Sequence, residues 1–437
     1  SAVLTDKFPN LVSENGLSFL KLRASYSITG NVSLPSSNRI GYLANQSYGV
    51  VLPTFGAYGI YPGVSVGTGF PYQQLGGYSL SYNSVQPNLQ PETDHSAEVG
   101  FQAGFWHNRI DLEVSYYAIG VFNQTVTSSV SGSTGLNSVL LNTGKVQDNG
   151  LEADLKLTPF LRFGKFNWNI GVNFSWLNDK VVYLTKGDTS SSSKLVIAGA
   201  GSTTYNIDAV PGKQYLSIYV SDWIRDPQGH IVVNGTTGMP TANPNLVYAG
   251  NNQYRERLGL SSNMTYGHFG LNVVFDYRGG AKMVSTVGQA LDFAGISGTS
   301  AENRSHFIIP GSVIETSPGH YTANTNTPTS GTAAQFWSTT YNGIGAPYVV
   351  NAAFWKLREA SLTYDFPMAM FGTQKVVKGL TVAVIGQNLL MFRPSTNKFT
   401  DPEFSSSINT NGNAAGVANE YLTPPVRSFG FSVSAKF

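Results

Sequence analysis

The most constraining feature of the sequence is an alternation of apolar and polar residues with a period of two. Residues 166–176 place Phe, Trp, Ile and Val on one side and Asn, Gly and Ser on the other. Successive side chains of a β-strand point to opposite faces, so each such segment is predicted to be a strand with one apolar face. Ten segments fit: 20–28, 97–105, 110–116, 151–157, 166–176, 269–277 and 429–437, and more weakly 254–266, 351–366 and 378–392.

One segment changes phase along its length. Trp355 and Leu357 share a face, and Ala360, Leu362 and Tyr364 then continue it one position out of step. A β-bulge inserts one extra residue into a strand, so we predict a bulge near Glu359.

The composition excludes several classes of protein. Charged residues make up 12% of the 437 residues and aromatic residues another 12%, whereas disordered chains have few aromatics and high net charge. The formal net charge of +2 gives no basic excess for nucleic acid. With no cysteine, disulfides and thiolate metal sites are excluded, and no apolar run approaches a spanning helix.

The connections between the predicted strands alternate in length. Tight turns are predicted at 106–108, 160–165 and 266–268, and long connections near 30–94, 123–146, 178–252, 281–350 and 393–425. Outer-membrane barrels combine short periplasmic turns with long external loops and aromatic residues at strand ends. A soluble β-sandwich rarely carries such long loops. The predicted fold is therefore an all-β, transmembrane antiparallel β-barrel.

The polar faces of these strands are rich in Ser, Gly and Asn, which are too short to fill a narrow barrel. Small inward side chains suit a wide lumen that holds water or a separate plug. Ten strands could close alone, but only around an interior filled by side chains; as an open sheet they would leave two unpaired edges in lipid, which is not viable. We therefore predict that the remaining strands come from residues absent from this sequence or from another chain.

Seven segments, in this order, resemble the C-terminal half of SusC/RagA-type TonB-linked outer-membrane transporters. They are LKLRASYSITGN (20–31), LQPETDHSAEVGFQAGFWHNRIDLEVSYY (89–117), NTGKVQDNGLEADL (142–155), FDYRGGAKMVS (275–285), AAFWKLREASLTYDFP (352–367), GQNLLMF (386–392) and DPEF (401–404). Any one of these segments is weak, but together they extend over nearly the whole chain.

The resemblance implies a barrel of about 22 strands with a plugged lumen in the outer membrane of a Gram-negative bacterium. It implies that residues 1–437 are the C-terminal part of that barrel and that a TonB-contacting region, a plug and roughly half of the wall precede them. The implied function is import of a glycan, peptide or similar nutrient, without enzymatic activity or cofactor. The implied partners are TonB, a SusD-like surface lipoprotein and outer-membrane lipid. Phe437 matches the aromatic C-terminus of such barrels.

Two groups of aromatic residues lie in predicted loops and are candidates for contact with substrate or a partner. They could equally pack loop against loop. The candidates are Tyr58, Tyr61, Tyr72, Tyr78, Trp337 and Tyr341.

Two other functions remain open from the residues alone. A self-contained small barrel could carry enzymatic loops, for which Asp94 and His95 would be an acid–His pair, or the chain could be a passive porin. The six His residues have no metal-ligand spacing, and no phosphate-binding loop is present, so energy for transport would come from outside this chain.

Overall fold

A computed structural model describes residues 1–13, 16–31, 64–67, 77–80, 83–85, 90–129, 138–142, 144–184, 193–198, 202–302, 307–328, 333–367, 377–403, 416–418 and 425–437. Its main element is an eleven-stranded sheet in which every neighbouring pair is antiparallel. We call this sheet the wall.

Ten long strands make up the wall, and the short strand β1 (Ala2–Val3) pairs at one edge. In sheet order the long strands are β2 (Leu17–Asn31), β6 (Glu92–Phe105), β7 (Ile110–Phe122), β10 (Lys145–Phe163), β11 (Phe166–Tyr183), β17 (Glu256–Tyr266), β18 (Phe269–Gly279), β23 (Phe354–Asp365), β24 (Gly379–Phe392) and β26 (Ser428–Lys436). All ten predicted strands are therefore confirmed, and each pairs with the next long strand along the chain.

The predicted alternation of faces is visible in the exposure of side chains. Large apolar side chains on one face are exposed, among them Tyr26 at 66%, Phe269 at 53% and Phe431 at 69%. The other face carries polar side chains, such as Arg23 on β2, which bonds Glu113 on β7. We call the apolar face outward and the polar face inward.

A β-bulge interrupts β23 at the predicted place. Leu357 pairs with Phe275 and Glu359 with Val274, so Arg358 has no partner on β18. The pairing of β23 with β24 shifts at the same point. The extra residue explains why the apolar face moves by one position along this strand.

Tight turns join the long strands at one end of the wall. Gly164 and Gly267, with φ of 55° and 60°, each begin a two-residue turn, since glycine adopts positive φ without steric cost. The turn after β6 places Trp106, His107 and Asn108 at positive φ. The predicted turn at 160–165 is shorter in the structure, because β10 continues to Phe163.

At the other end of the wall, the long connections contain short strands that form small sheets. We call this part the outer layer. Its sheets are β12 (Leu195–Ala198) with β13 (Tyr205–Ala209), β14 (Ser217–Val220) and β16 (Val247–Asn251); β15 (Val232–Val233) with β20 (Val313–Ser317) and β21 (His320–Ala323); and β19 (Lys282–Ser285) with β22 (Val349–Asn351) and β25 (Val417–Ala418).

Two further sheets lie in connections near the β2 edge of the wall. They are β3 (Val64–Gly67) with β4 (Gly77–Leu80), and β5 (Asn83–Val85) with β8 (Thr125–Ser129) and β9 (Ser138–Asn142).

The helices are short. They are α1 (Leu4–Lys7), α2 (Thr286–Phe293), α3 (Gly298–Glu302), α4 (Ala333–Gln335), the 3-10 turns Pro9–Leu11 and Ala346–Tyr348, and the π-helical turn Phe336–Tyr341. Within the described part of the chain, no helix has both the length and the apolar character needed to cross a membrane.

Candidate functional site

The inward face of the wall is a polar surface with charges that neutralise one another. On the first strands Arg23 bonds Glu113 and lies 3.2 Å from the Glu98 carboxylate. Next to them, the Gln102 amide donates to Asp111 at 3.2 Å. Such a surface can line an aqueous lumen, because it presents polar side chains and paired opposite charges to water.

The outer layer folds over the inward side of the wall. Val181, on the inward face of β11, is 1% exposed and packs against Leu195 and Ala209 of the outer layer. Two residues earlier, the Asp179 carboxylate accepts a hydrogen bond from the Tyr215 backbone N–H at 2.7 Å. The described part of the connection after β11 therefore covers the inward face at the outer end of the wall instead of extending away from it.

A recess of about 150 Å³ lies where the outer layer meets the inner face of β6, β7, β10 and β11. Three carboxylates line it, from Glu92, Asp148 and Asp179, together with Tyr215 and Gln253. The recess is therefore an acidic part of the inward surface at the outer end of the wall. Across the described ranges, no group of three or more His, Asp or Glu residues is arranged to hold a metal ion.

A cluster of six charged residues attaches the connection after β24 to the wall, and we call it the ion cluster. Its cations are Arg278, Lys356 and Arg358, and its anions are Asp276, Asp401 and Glu403. The three positive and three negative charges balance. The cluster therefore holds structure together and offers no net charge to a ligand.

Lys356 is the most buried member of the ion cluster, with its side chain 4% exposed. Its Nζ lies 2.6 Å from the Asp401 carboxylate and 2.5 Å from that of Glu403. The bulge residue Arg358 donates through Nη1 to Glu403 at 2.6 Å and through Nε to Asp276 at 3.0 Å. The bulge thus directs a guanidinium between the wall and the connection.

Glu403 is the anion that joins most of the ion cluster. Burial alone would raise the pKa of Glu403, but hydrogen bonds from Arg358 and Lys356 outweigh burial and lower it to about 2. Beside it, the Tyr254 hydroxyl donates to the Pro402 carbonyl at 3.2 Å. Burial raises the pKa of Tyr254, so this hydroxyl keeps its proton.

The structure places Trp337 and Tyr341 inside the outer layer. Trp337 is 5% exposed, in a cluster with Val233, Ile309 and Phe336, and Tyr341 packs against that cluster with its ring 4.6 Å from the Trp337 ring. Burial, with Asp292 nearby, raises the pKa of Tyr341 to about 12. In this conformation neither ring presents a broad surface to a ligand.

The remaining candidate residues are four tyrosines and Phe437. Tyr58, Tyr61 and Tyr72 lie outside the described residues, and Tyr78 lies on β4, where only the backbone is described. Phe437 follows β26 and is 75% exposed.

The acid–His pair considered for an enzymatic barrel is not assembled. Asp94 and His95 are consecutive residues of β6, so their side chains point to opposite faces. The His95 ring is outward, 3.2 Å from the Tyr26 hydroxyl and 4.9 Å from the Phe122 ring.

An antiparallel wall with an apolar outward face and a polar inward face has the build of a transmembrane β-barrel. The family model described as "TonB dependent receptor-like, beta-barrel" matches residues 15–389. The chain belongs to this family, whose members are outer-membrane receptors and transporters of Gram-negative bacteria.

Relatives and solved structures agree with this assignment. TonB-dependent receptor P26 of Formosa agariphila is 25% identical over 433 residues, which cover 96% of this chain and 40% of the relative. TonB-dependent receptor P3 of the same organism is 22% identical and is also covered to 40%. The chain thus spans about two fifths of either relative.

The structure of the RagAB peptide transporter has the same fold, with a TM-score of 0.68 and 19% identity over all of this chain and 42% of that chain. The RagAB peptide importer in its open-open state gives a TM-score of 0.66. The fold implied by the resemblance to SusC/RagA-type transporters, a TonB-dependent receptor barrel, is thereby confirmed.

A charge on the outward face should destabilise this wall more than the same charge on the inward face. Val273 is the central outward residue of β18, opposite Ser262 and Ala360. We expect Val273→Arg to cost about 2–4 kcal/mol, because arginine at the bilayer midplane carries that penalty. The measurement is urea-induced unfolding of the full-length protein in lipid vesicles.

Asn272→Arg is the matched control, since Asn272 precedes Val273 and faces inward. We expect its cost to be smaller, because its guanidinium meets the polar lumen surface. Equal losses from both variants would contradict the assignment of the two faces.

Proposed function

We propose that this chain is the C-terminal arc of the barrel of an outer-membrane nutrient importer of the SusC type. Its strands anchor the importer in lipid and enclose the lumen, a plug gates that lumen, and TonB supplies the energy. Long connections at the outer end meet the nutrient and a SusD-like surface lipoprotein.

The observation that carries this proposal is the pattern of the wall itself. Ten antiparallel strands keep apolar side chains on one face and polar side chains on the other, inside a chain whose residues 15–389 match a receptor barrel. A sheet with this pattern separates lipid from water and performs no bond chemistry. The proposed mechanism is therefore containment and gating.

The edges of the wall support a larger barrel. Among the described residues, β26 pairs only with β24, and all nine of its residues are exposed. Unpaired backbone groups cannot face hydrocarbon, so further strands must cover both edges in a membrane. The share of the relatives that lies outside this chain is long enough to supply them.

The substrate class to test first is peptides, because the RagAB structures are of a peptide importer. Glycans and other oligomers are the alternatives. The acidic recess lined by Glu92, Asp148 and Asp179 favours a nutrient that carries positive charge over an anionic one.

Uptake by cells that produce the full-length protein tests the function. Labelled oligopeptides and oligosaccharides are offered with and without a protonophore that collapses the proton-motive force. We expect uptake of one class to stop when the force is collapsed. Uptake that persists would favour a passive porin, and hydrolysis of the substrate by purified protein would favour an enzymatic barrel.

The orientation of the wall can be tested because this sequence contains no cysteine. We expect Gln228→Cys, in an exposed turn of the outer layer, to react with a membrane-impermeant maleimide on intact cells. Lys165→Cys, in the tight turn between β10 and β11, should react only after the outer membrane is permeabilised. The reverse result would place the outer layer in the periplasm.

A role of Phe437 in assembly is part of the same proposal. We expect Phe437→Ala to reduce the amount of folded protein in the outer membrane, and Phe429→Ala, on the same strand, to reduce it less. Immunoblotting of heat-modifiable protein in membrane fractions measures both.

A further inference from the structure

A group of basic and aromatic side chains lies on the outward face of the wall, above its apolar stripe and towards the outer end of the strands. Lys145 lies at the upper end of β10, with its ammonium 4.7 Å from the centre of the Phe122 ring on β7. On β6, the His95 ring contacts both Phe122 and the Tyr26 hydroxyl. We call this group, with Lys180, the outward basic patch.

Lys180 extends the patch onto β11. It lies directly opposite Gln147, which is two residues from Lys145 on the same face, and the pairing of β10 with β11 shifts by one residue between Lys145 and Val146. Diagonal neighbours of this kind are roughly 7–8 Å apart, a distance that two long lysine side chains can close around one anionic group. Lys180 is exposed and Lys145 half-buried, so both ammonium groups can be reached from outside.

The charges of the patch have no counterion within the described part of the chain. Neither lysine forms an ion pair there. The acidic residues of the same strand ends, Asp94, Asp148 and Asp179, alternate to the inward face. The outward carboxylate on the next strand is Glu256, which lies opposite Trp176, four residues below Lys180.

The position of the patch indicates what could neutralise it. Below it on the same strands, past the outward polar residues Gln147, Asn149 and Asn178, the outward face is apolar at Val99, Tyr116, Leu151 and Trp176. Aromatic residues such as Tyr116 and Trp176 are typical of the boundary between hydrocarbon and headgroups. A phosphate held by the lysines would therefore place attached acyl chains along the apolar stripe.

We propose that Lys145 and Lys180, framed by Phe122 and His95, bind the phosphate of an anionic lipid in the outer leaflet. The inference rests on the orientation in the proposed function and concerns the opposite face of the wall from the lumen. Lipid binding here would set the depth of strands β6, β7, β10 and β11 in the membrane. The outer layer packs on the opposite face of these strands.

Lipid binding to the full-length protein tests the site. Fluorescent phosphatidylglycerol is titrated into the protein in neutral detergent micelles, in parallel with a diacylglycerol that has the same acyl chains. We expect K145Q/K180Q to bind phosphatidylglycerol roughly thirtyfold more weakly, because each lysine near an anionic lipid surface contributes about fivefold. K378Q/K398Q removes the same charge from exposed positions elsewhere and should bind like the parent protein.

The arms of the experiment separate the possible ligands. The site is a lipid site if phosphatidylglycerol binds more tightly than diacylglycerol and inorganic phosphate at the same concentration fails to displace it. Displacement by inorganic phosphate, equal binding of the two lipids, or unchanged binding by K145Q/K180Q would overturn the proposal. Nutrient uptake by K145Q/K180Q, measured separately, reports on the transport function and not on this site.

Discussion

Replacing Lys356 with methionine is expected to detach the connection after β24 from the wall. Methionine keeps much of the volume of the side chain but leaves the Asp401 and Glu403 carboxylates without their buried cation. Removing one partner of a buried ion pair costs about 3–5 kcal/mol. Hydrogen exchange of residues 397–403 in the full-length protein measures the change, and we expect their protection to fall while that of β18 and β23 is kept.

Lys398→Met is the matched control, because Lys398 lies in the same connection and is exposed. Its exchange pattern should resemble that of the parent protein. If Lys356→Met also left residues 397–403 protected, the ion cluster would not be what holds this connection.

The same attachment should withstand acid until Glu403 is protonated. The pKa of Glu403 is lowered to about 2 from an ordinary value of 4.5. A carboxylate with a lowered pKa stabilises the folded state fully above its unfolded pKa, and this stabilisation is lost as the pH falls through the folded pKa. We therefore expect residues 397–403 to stay protected near pH 4, by exchange measured across a pH series, and to lose protection towards pH 2. Loss of protection already near pH 5 would contradict this assignment.

The sequence predicted the wall well because lipid enforces a strict rule on it. Outward side chains between the two membrane boundaries are mostly apolar, so the period of two recurs in all ten strands, and even the bulge at Arg358 was visible as a change of phase. The predicted strands stop where the outward side chains are no longer apolar. Strand β10 begins at Lys145 and β11 continues to Tyr183, several residues beyond the predicted 151 and 176, because the outward face of these extensions is polar at Gln147, Asn149, Asn178 and Lys180.

The outer layer was predicted only as long loops because its strands follow a different pattern. In β13 the consecutive residues Ile207, Asp208 and Ala209 are all buried, so no polar face alternates with an apolar one. Short strands buried on both sides give no periodic signal that distinguishes them from other segments.

The ion cluster could not have been predicted from spacing in the chain. Lys356 contacts Asp401 and Glu403, 45 and 47 residues away, and Arg358 contacts Asp276, 82 residues away. They meet because the wall residues point inward and because the connection after β24 folds back over the inward face of the wall. The available signal was indirect: the three segments that supply the cluster (275–285, 352–367 and 401–404) were among those that resemble the transporter family, and charges are scarce in this chain.

The final prediction decides whether the aromatic group of the outer layer supports structure or contacts the nutrient. The Trp337 ring stacks on Phe307 at 5.8 Å and meets Phe336 nearly at right angles at 5.4 Å. We expect Trp337→Ala to lower the free energy of local unfolding by about 3–5 kcal/mol, because it leaves a cavity in a closed cluster. Hydrogen exchange at Val233 and Ile309, on either side of that cavity, measures the loss.

Tyr341→Phe is the control for this cluster, because it keeps the ring and removes only the hydroxyl; we expect a smaller loss than that of Trp337→Ala, since no cavity is left. A packing role predicts that Trp337→Ala speeds exchange at Val233 and Ile309 and that nutrient uptake recovers as the temperature is lowered. If uptake instead fell equally at all temperatures while exchange stayed unchanged, the ring would act on the nutrient. The burial of Trp337 at 5% favours the first outcome, since a ring that is closed off by its own cluster has no free face on which a substrate could stack.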